Sequence, residues 1–200
     1  MAKILWKENQ VLSIETRPGI FVLAQMIHEP YLMVYNIFRD KEDWEDVQLQ
    51  DVPTLCCTAV TRQFLSKSVI TKPKVKPAVH TDLPKRWIQE NPESFKVKVW
   101  EGTPDEKEFI TLGKGGGSLI EKDITKQGFH QPAIVIPKIS FSDDETIDHH
   151  ELTNIRIYAE FNERLYLCYK FGRNVDPLKD LIFGRPLPPE YKQYIDIISS

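Results

Sequence analysis

Three apolar runs crowded into the first forty residues limit what this chain can fold into more than any other feature. They are Val11–Glu15, Ile20–Ile27 and Tyr31–Phe38, and only Thr16–Gly19 and His28–Pro30 separate them. Parallel strands need a crossover of a dozen residues or more, whereas two to four residues suffice for a hairpin. The spacing therefore predicts an antiparallel meander. Val11, Ser13 and Glu15 alternate with Leu12 and Ile14, and the next two runs are rich in β-branched and aromatic residues bounded by Pro18, Gly19 and Pro30. The expected fold class is α+β: a curled antiparallel sheet or partial barrel with a few short helices and a C-terminal helix.

Within Val11–Asp40, the segment Phe21–Met26 followed by Leu32–Phe38 resembles the opening of the immunity protein 26 family. The chain departs from that pattern at Ala24-Gln25, where many relatives place a small residue and an arginine, and at Asn36, where an aspartate is expected. The resemblance covers roughly the first quarter of the chain. It implies a small cytosolic α+β protein that binds and neutralises a toxin domain delivered by competing bacteria. A small organophosphate-hydrolysing protein is grouped with the same family, so the resemblance also implies an enzymatic alternative.

Composition narrows the partners. A hydrophobic fraction of 41% over 200 residues supplies a proper core for a single α+β domain spanning 1–200. A net charge of -3 argues against generic polyanion binding, so nucleic acid is an unfavourable partner. Met1–Gln10 lacks an apolar stretch of signal-peptide length, and no run reaches the roughly 18–20 apolar residues that span a bilayer, so no membrane association is expected. Cys56, Cys57 and Cys168 have no metal-ligand spacing and read as buried small side chains in a reducing, cytoplasmic setting.

Farther along, Asp40–Asp51 carries Asp43, Glu45 and Asp46 around Trp44 and reads as an acidic surface loop or short helix. A connecting arm near 67–86 is rich in Pro and Lys, with Pro73, Pro77 and Pro84 preventing a continuous helix. Pro84–Pro92 is long enough for one or two helical turns, and 95–112 reads as a second hairpin turning at Thr103-Pro104-Asp105. Gly113–Ser118 lacks the Gly-Lys-Ser/Thr ending of a P-loop and reads as a mobile loop. Ser142 with Glu145 predicts a capping box opening a short helix. Residues 155–171 support both a hairpin and a helix; the alternation of Ile155, Ile157, Ala159 and Phe161 favours the hairpin. Pro188-Pro189 predicts a final helix with Tyr191, Tyr194, Ile195 and Ile198 on one side.

Two chemistries compete for these residues. Carboxylates at Asp43, Glu45, Asp46, Asp143, Asp144 and Glu145, with Trp44 as an aromatic anchor, suit a surface that binds a cationic toxin domain and occludes it without a cofactor. Alternatively, Asp148, His149, His150 and Glu151, joined through folding by His28, His80 or His130, would hold a divalent metal for phosphoester or phosphotriester hydrolysis. Adjacent histidines point in different directions on a helix or a strand, which disfavours that site. No Ser lies in a Gly-x-Ser-x-Gly elbow, so catalysis is the less expected class. A non-catalytic regulatory interaction protein is the third reading.

Overall fold

The computed structural model describes residues 4–80, 82–126 and 131–200. In its first stretch the strands are β1 (Val11–Arg17), β2 (Ile20–Met26), β3 (Tyr31–Arg39) and β4 (Thr54–Val60), then helix α1 (Arg62–Lys67) and strand β5 (Val69–Thr71). There follow β6 (Arg86–Glu90), β7 (Ser94–Val99), β8 (Lys107–Leu112), β9 (Gly117–Glu121), β10 (Ala133–Ile136) and α2 (Asp144–His149). The chain ends with β11 (Ile155–Arg156), α3 (Glu160–Phe171), α4 (Pro177–Ile182) and α5 (Lys192–Ile198). Contacts divide these elements into two compact units: 1–84 with 155–175, and 85–154 with 176–200. The fold is α+β, and the predicted C-terminal helix is present as α5.

The first unit is a strongly curled six-stranded half-barrel in the order β11-β4-β3-β2-β1-β5. The meander read from the first forty residues forms its centre: β1–β2, β2–β3 and β3–β4 pair antiparallel, with Leu12 opposite Ala24 and Ala24 opposite Val34. Each of these three pairings carries a register shift, and such bulges bend a sheet and raise its twist. Helix α3 packs on one face over β1, and Phe64 meets Phe161 with ring centroids 5.2 Å apart. The open edge at β5 is three residues long and runs into Lys72-Pro73, a charged residue and a proline that together discourage another strand from adding there.

Residues 155–171 are a correction. Only Ile155 and Arg156 are strand, paired parallel to β4, and 160–171 is helix rather than the second arm of a hairpin. The helical period was hidden because α3 turns charges inward: Glu160, Glu163 and Arg164 are buried alongside Phe161, Leu165 and Cys168. Each charge has a tertiary partner. Arg17 forks onto both Glu163 oxygens at 2.7 Å, Arg156 donates to Glu160 at 3.0 Å, and Arg164 donates to the Val175 carbonyl and to Asn174 Oδ1, both at 3.0 Å. Gly172 ends the helix at φ 64, the left-handed cap that glycine adopts without strain.

The second unit contains a three-stranded sheet, β10-β9-β6, and the two-stranded ribbon β7–β8 expected over 95–112. Pro84–Pro92 is a further correction: it supplies β6, not helical turns, because Trp87 and Ile88 are buried side by side, one toward each face of a sheet. The core gathers Ile88, Leu119, Ile139, Ile147, Leu152, Ile182 and Phe183. Helix α2 begins one residue later than the capping-box reading, since Asp143 rather than Ser142 accepts the N-terminal hydrogen bond, from Thr146 N–H at 3.0 Å. The glycine run forms a tight turn with positive φ at Gly113, Gly115 and Gly116. A Cβ on Gly117 would lie 2.5 Å from the Gln89 carbonyl oxygen, so β6 and β9 approach this closely only with glycine there.

Candidate functional site

The acidic segment after β3 folds as a loop whose direction is set by Trp44. Its indole is 4% exposed, and Nε1 donates to Ser13 Oγ on β1 at 3.1 Å. The Arg39 guanidinium lies 5.3 Å from the ring centroid, donates to the Asp43 carbonyl, and bonds Asp46 at 2.8 Å. That ion pair holds the Asp46 carboxyl below its usual range. Val47 and Leu49, farther along the segment, are also buried. With the apolar side chains inward, Asp40, Glu42, Asp43, Glu45 and Asp46 are left at the surface. The sequence placed Trp44 among partner-binding residues; the structure makes it the buried post that fixes the carboxylates around it.

Glu42, Asp43 and Glu45 form one wall of an open cleft of about 350 Å³, and Thr71, Pro73, Lys74 and Val75 of the arm form the other. Thr71 Oγ1 donates to Glu42 across it. The unit that carries this loop has 14 Lys and Arg against 12 Asp and Glu, so the loop is a local acidic island in a unit of slightly positive formal charge.

The arm is fastened beside the sheet by polar groups that no motif announces. Gln25, fully buried on β2, accepts from Ala78 N–H at 2.9 Å and donates to Ala78 C=O at 3.0 Å. Gln50 treats Val79 the same way, accepting its N–H at 2.7 Å and donating to its carbonyl at 3.4 Å. The Tyr35 hydroxyl donates to Gln25 Oε1 at 2.9 Å; having a single hydrogen, it accepts from His80 Nε2 at 2.7 Å. Burial raises the Tyr35 hydroxyl pKa and lowers that of His80. At position 25, where the resemblance implies arginine, an amide is required because an arginine has no acceptor for Ala78 N–H or Tyr35 O–H. The only hint of this in the sequence is Gln25, a lone amide within the apolar run Ile20–Ile27.

The second acidic segment is largely spoken for. Asp143 caps α2, and the hydrogen bond from Thr146 holds its carboxyl low. Arg185 reaches Asp144 and Asp148 at 2.5 Å each and Asp180 at 3.5 Å. Burial opposes the charge on Arg185, but hydrogen bonds to Asp148 and Asp144 prevail and raise its pKa. Burial raises the pKa of Asp180, against the hydrogen bond it accepts from Tyr191. Glu145 remains exposed on α2. The two predicted acidic segments lie in different units.

The alternative metal residues do not converge. His149 Nδ1 bonds the Glu145 carbonyl and His150 Nδ1 the Thr146 carbonyl, both at 2.8 Å, while Asp148 pairs with Arg185 and Glu151 N-terminal to β11 contributes its carbonyl to Ile88 N–H at 2.8 Å. His28 pairs with Glu8 at 2.7 Å, His80 bonds Tyr35, and His130 lies outside the described residues. Among the described residues no three His, Cys, Asp or Glu side chains are grouped to hold a metal ion. Cys56, Cys57 and Cys168 are buried, as their composition implied.

Among the described residues no helix is long and apolar enough to cross a membrane. Neither a curated protein nor a solved structure matches the chain. A family model does, over residues 1–186, and the chain belongs to that family, described as Domain of unknown function (DUF8309).

Proposed function

We propose that this chain is a bacterial immunity protein, acting in the cytoplasm, that neutralises a cognate cationic toxin domain by occlusion and without catalysis. The observation that carries the reading is the Asp40–Asp46 loop, held by buried Trp44 so that its carboxylates are displayed together at the surface. Clustered charges on an anchored loop steer encounter with a complementary surface, and a backbone already ordered loses little entropy on binding. The resemblance of Val11–Asp40 to the immunity protein 26 family supports the same reading. Electrostatic steering predicts that the loop acts mainly on the association rate, while contacts made after docking set the dissociation rate.

The test is co-purification with, and growth rescue from, the product encoded immediately upstream. A tight complex that restores growth is the expected result. Replacing Glu42, Asp43 and Glu45 by Gln, Asn and Gln should slow association by about tenfold at low salt, with the difference shrinking as salt is added. No complex and no rescue would remove the assignment for that pair.

A further inference from the structure

The glycine run lines a feature that the toxin-binding reading does not use. In the second unit an open cleft of about 430 Å³ lies between the turn at Gly115–Ser118, the end of β6 and the segment after β10. Asn91, Gly115, Gly117, Ser118 and Lys138 line it, with Glu90 as its one acid. Glu90 is half-buried and engaged in an interaction of its own, although its Oε2 accepts no hydrogen bond. The donors around it are unspent: among the described residues, Gly115 N–H, the Ser118 hydroxyl, the Asn91 amide NH₂ and Lys138 Nζ make no hydrogen bond or ion pair. Asn91 is oriented from behind, because its Oδ1 accepts from Glu93 N–H at 3.2 Å.

The turn's glycines separate by role. A Cβ would meet Ile182 at 2.8 Å from Gly113, Phe141 at 2.9 Å from Gly116 and the Gln89 carbonyl at 2.5 Å from Gly117, so packing demands those three. Gly115 has nothing within 4 Å of such a Cβ, and its φ is +79°. It borders the cleft and leaves its N–H unused. The N–H groups of Gly113 and Lys114 are spent on the Glu93 carbonyl and that of Gly116 on the Gly113 carbonyl, so within Gly113–Gly116 the backbone offers the Gly115 N–H as its donor; lysine serves a phosphate as a point charge.

We propose that this cleft binds the phosphate group of a small molecule, with Lys138 as the countercharge and Ser118, Asn91 and the Gly115 N–H as hydrogen-bond donors. The site is not a P-loop: Ser118 lies in β9 rather than at the start of a helix, and the lysine comes from a different segment. The ligand is either free phosphate or a phosphate monoester, and the two share the chemistry recognised here.

The experiment is a ¹H–¹⁵N NMR titration of the full chain with inorganic phosphate and, separately, with glycerol 3-phosphate, using chloride at matched ionic strength as the control. Saturable shifts of the Gly115, Gly117 and Ser118 amides are expected. Lys138→Gln should weaken binding by about tenfold, as loss of a charge-assisted contact does. Lys96→Gln, on β7 and paired with Glu108, should leave it unchanged. Tighter binding of the ester assigns the site to a phosphorylated small molecule, and tighter binding of inorganic phosphate assigns it to the free ion. Shifts that never saturate, that chloride reproduces, or that survive Lys138→Gln undiminished would overturn the proposal. Because no toxin is involved, this result is independent of the rescue experiment.

Discussion

Trp44→Phe separates the two roles open to this tryptophan, a surface anchor for a partner or a buried post for the loop. The indole is 4% exposed, so the substitution trades one buried ring for a smaller one. The area lost is about 40 Å², worth about 1 kcal/mol at roughly 25 cal/mol per Å². Loss of the Nε1–Ser13 hydrogen bond, which leaves a buried hydroxyl without its partner, adds about 1 kcal/mol. The expected destabilisation is therefore about 2 kcal/mol, which at a urea m-value of about 2 kcal/mol/M moves the unfolding midpoint down by about 1 M. The assay is urea denaturation followed by far-UV circular dichroism, with partner association measured on the folded variant. Neutralising Glu42, Asp43 and Glu45 is the counterpart, because those surface changes should shift stability by no more than about 0.5 kcal/mol while slowing association. An unmoved midpoint for Trp44→Phe combined with a large loss of partner affinity would refute the buried-post argument.

Gln25→Arg, the residue that the family resemblance implies at this position, should destabilise the protein by about 2–4 kcal/mol, because Ala78 N–H and Tyr35 O–H both lose a buried acceptor; the urea midpoint reads this directly. The pH dependence follows from the direction of the His80 shift. Burial holds its pKa in the fold below the ordinary histidine value of 6.5, so the unfolded chain binds more protons between the two values, and stability falls as pH drops through 6.5 toward the folded pKa. His80→Gln should flatten that part of the stability profile, and a profile identical to that of the unsubstituted chain would show that His80 is not its source.

The site was less legible than the sheet. The acidic loop could be located from composition alone, but whether Trp44 faced solvent or Ser13 could not, because the two differ only in a contact across 31 residues of sequence. Likewise nothing local marks Arg185 as the partner of Asp144 and Asp148, which takes much of the charge out of a segment that reads as freely acidic. The arm's composition announced extended chain, yet its fastening depends on Gln25, Gln50 and Tyr35 reaching it from elsewhere in the chain.

The sequence by itself determined the antiparallel meander, the β7–β8 ribbon and the closing helix, since two- to four-residue turns fix the meander, the Phe95, Val97 and Val99 alternation with the turn residues Thr103-Pro104-Asp105 marks the ribbon, and Pro188-Pro189 precedes the helix. Tertiary structure decided α3, β6 and the disposition of the charges. In α3 the inward face holds Glu160, Glu163 and Arg164, and only partners supplied by the fold make their burial tolerable, so a period read from hydrophobicity could not reveal it. Local pattern reports which side chains prefer to leave water; it does not report which polar ones the fold will satisfy once they have left.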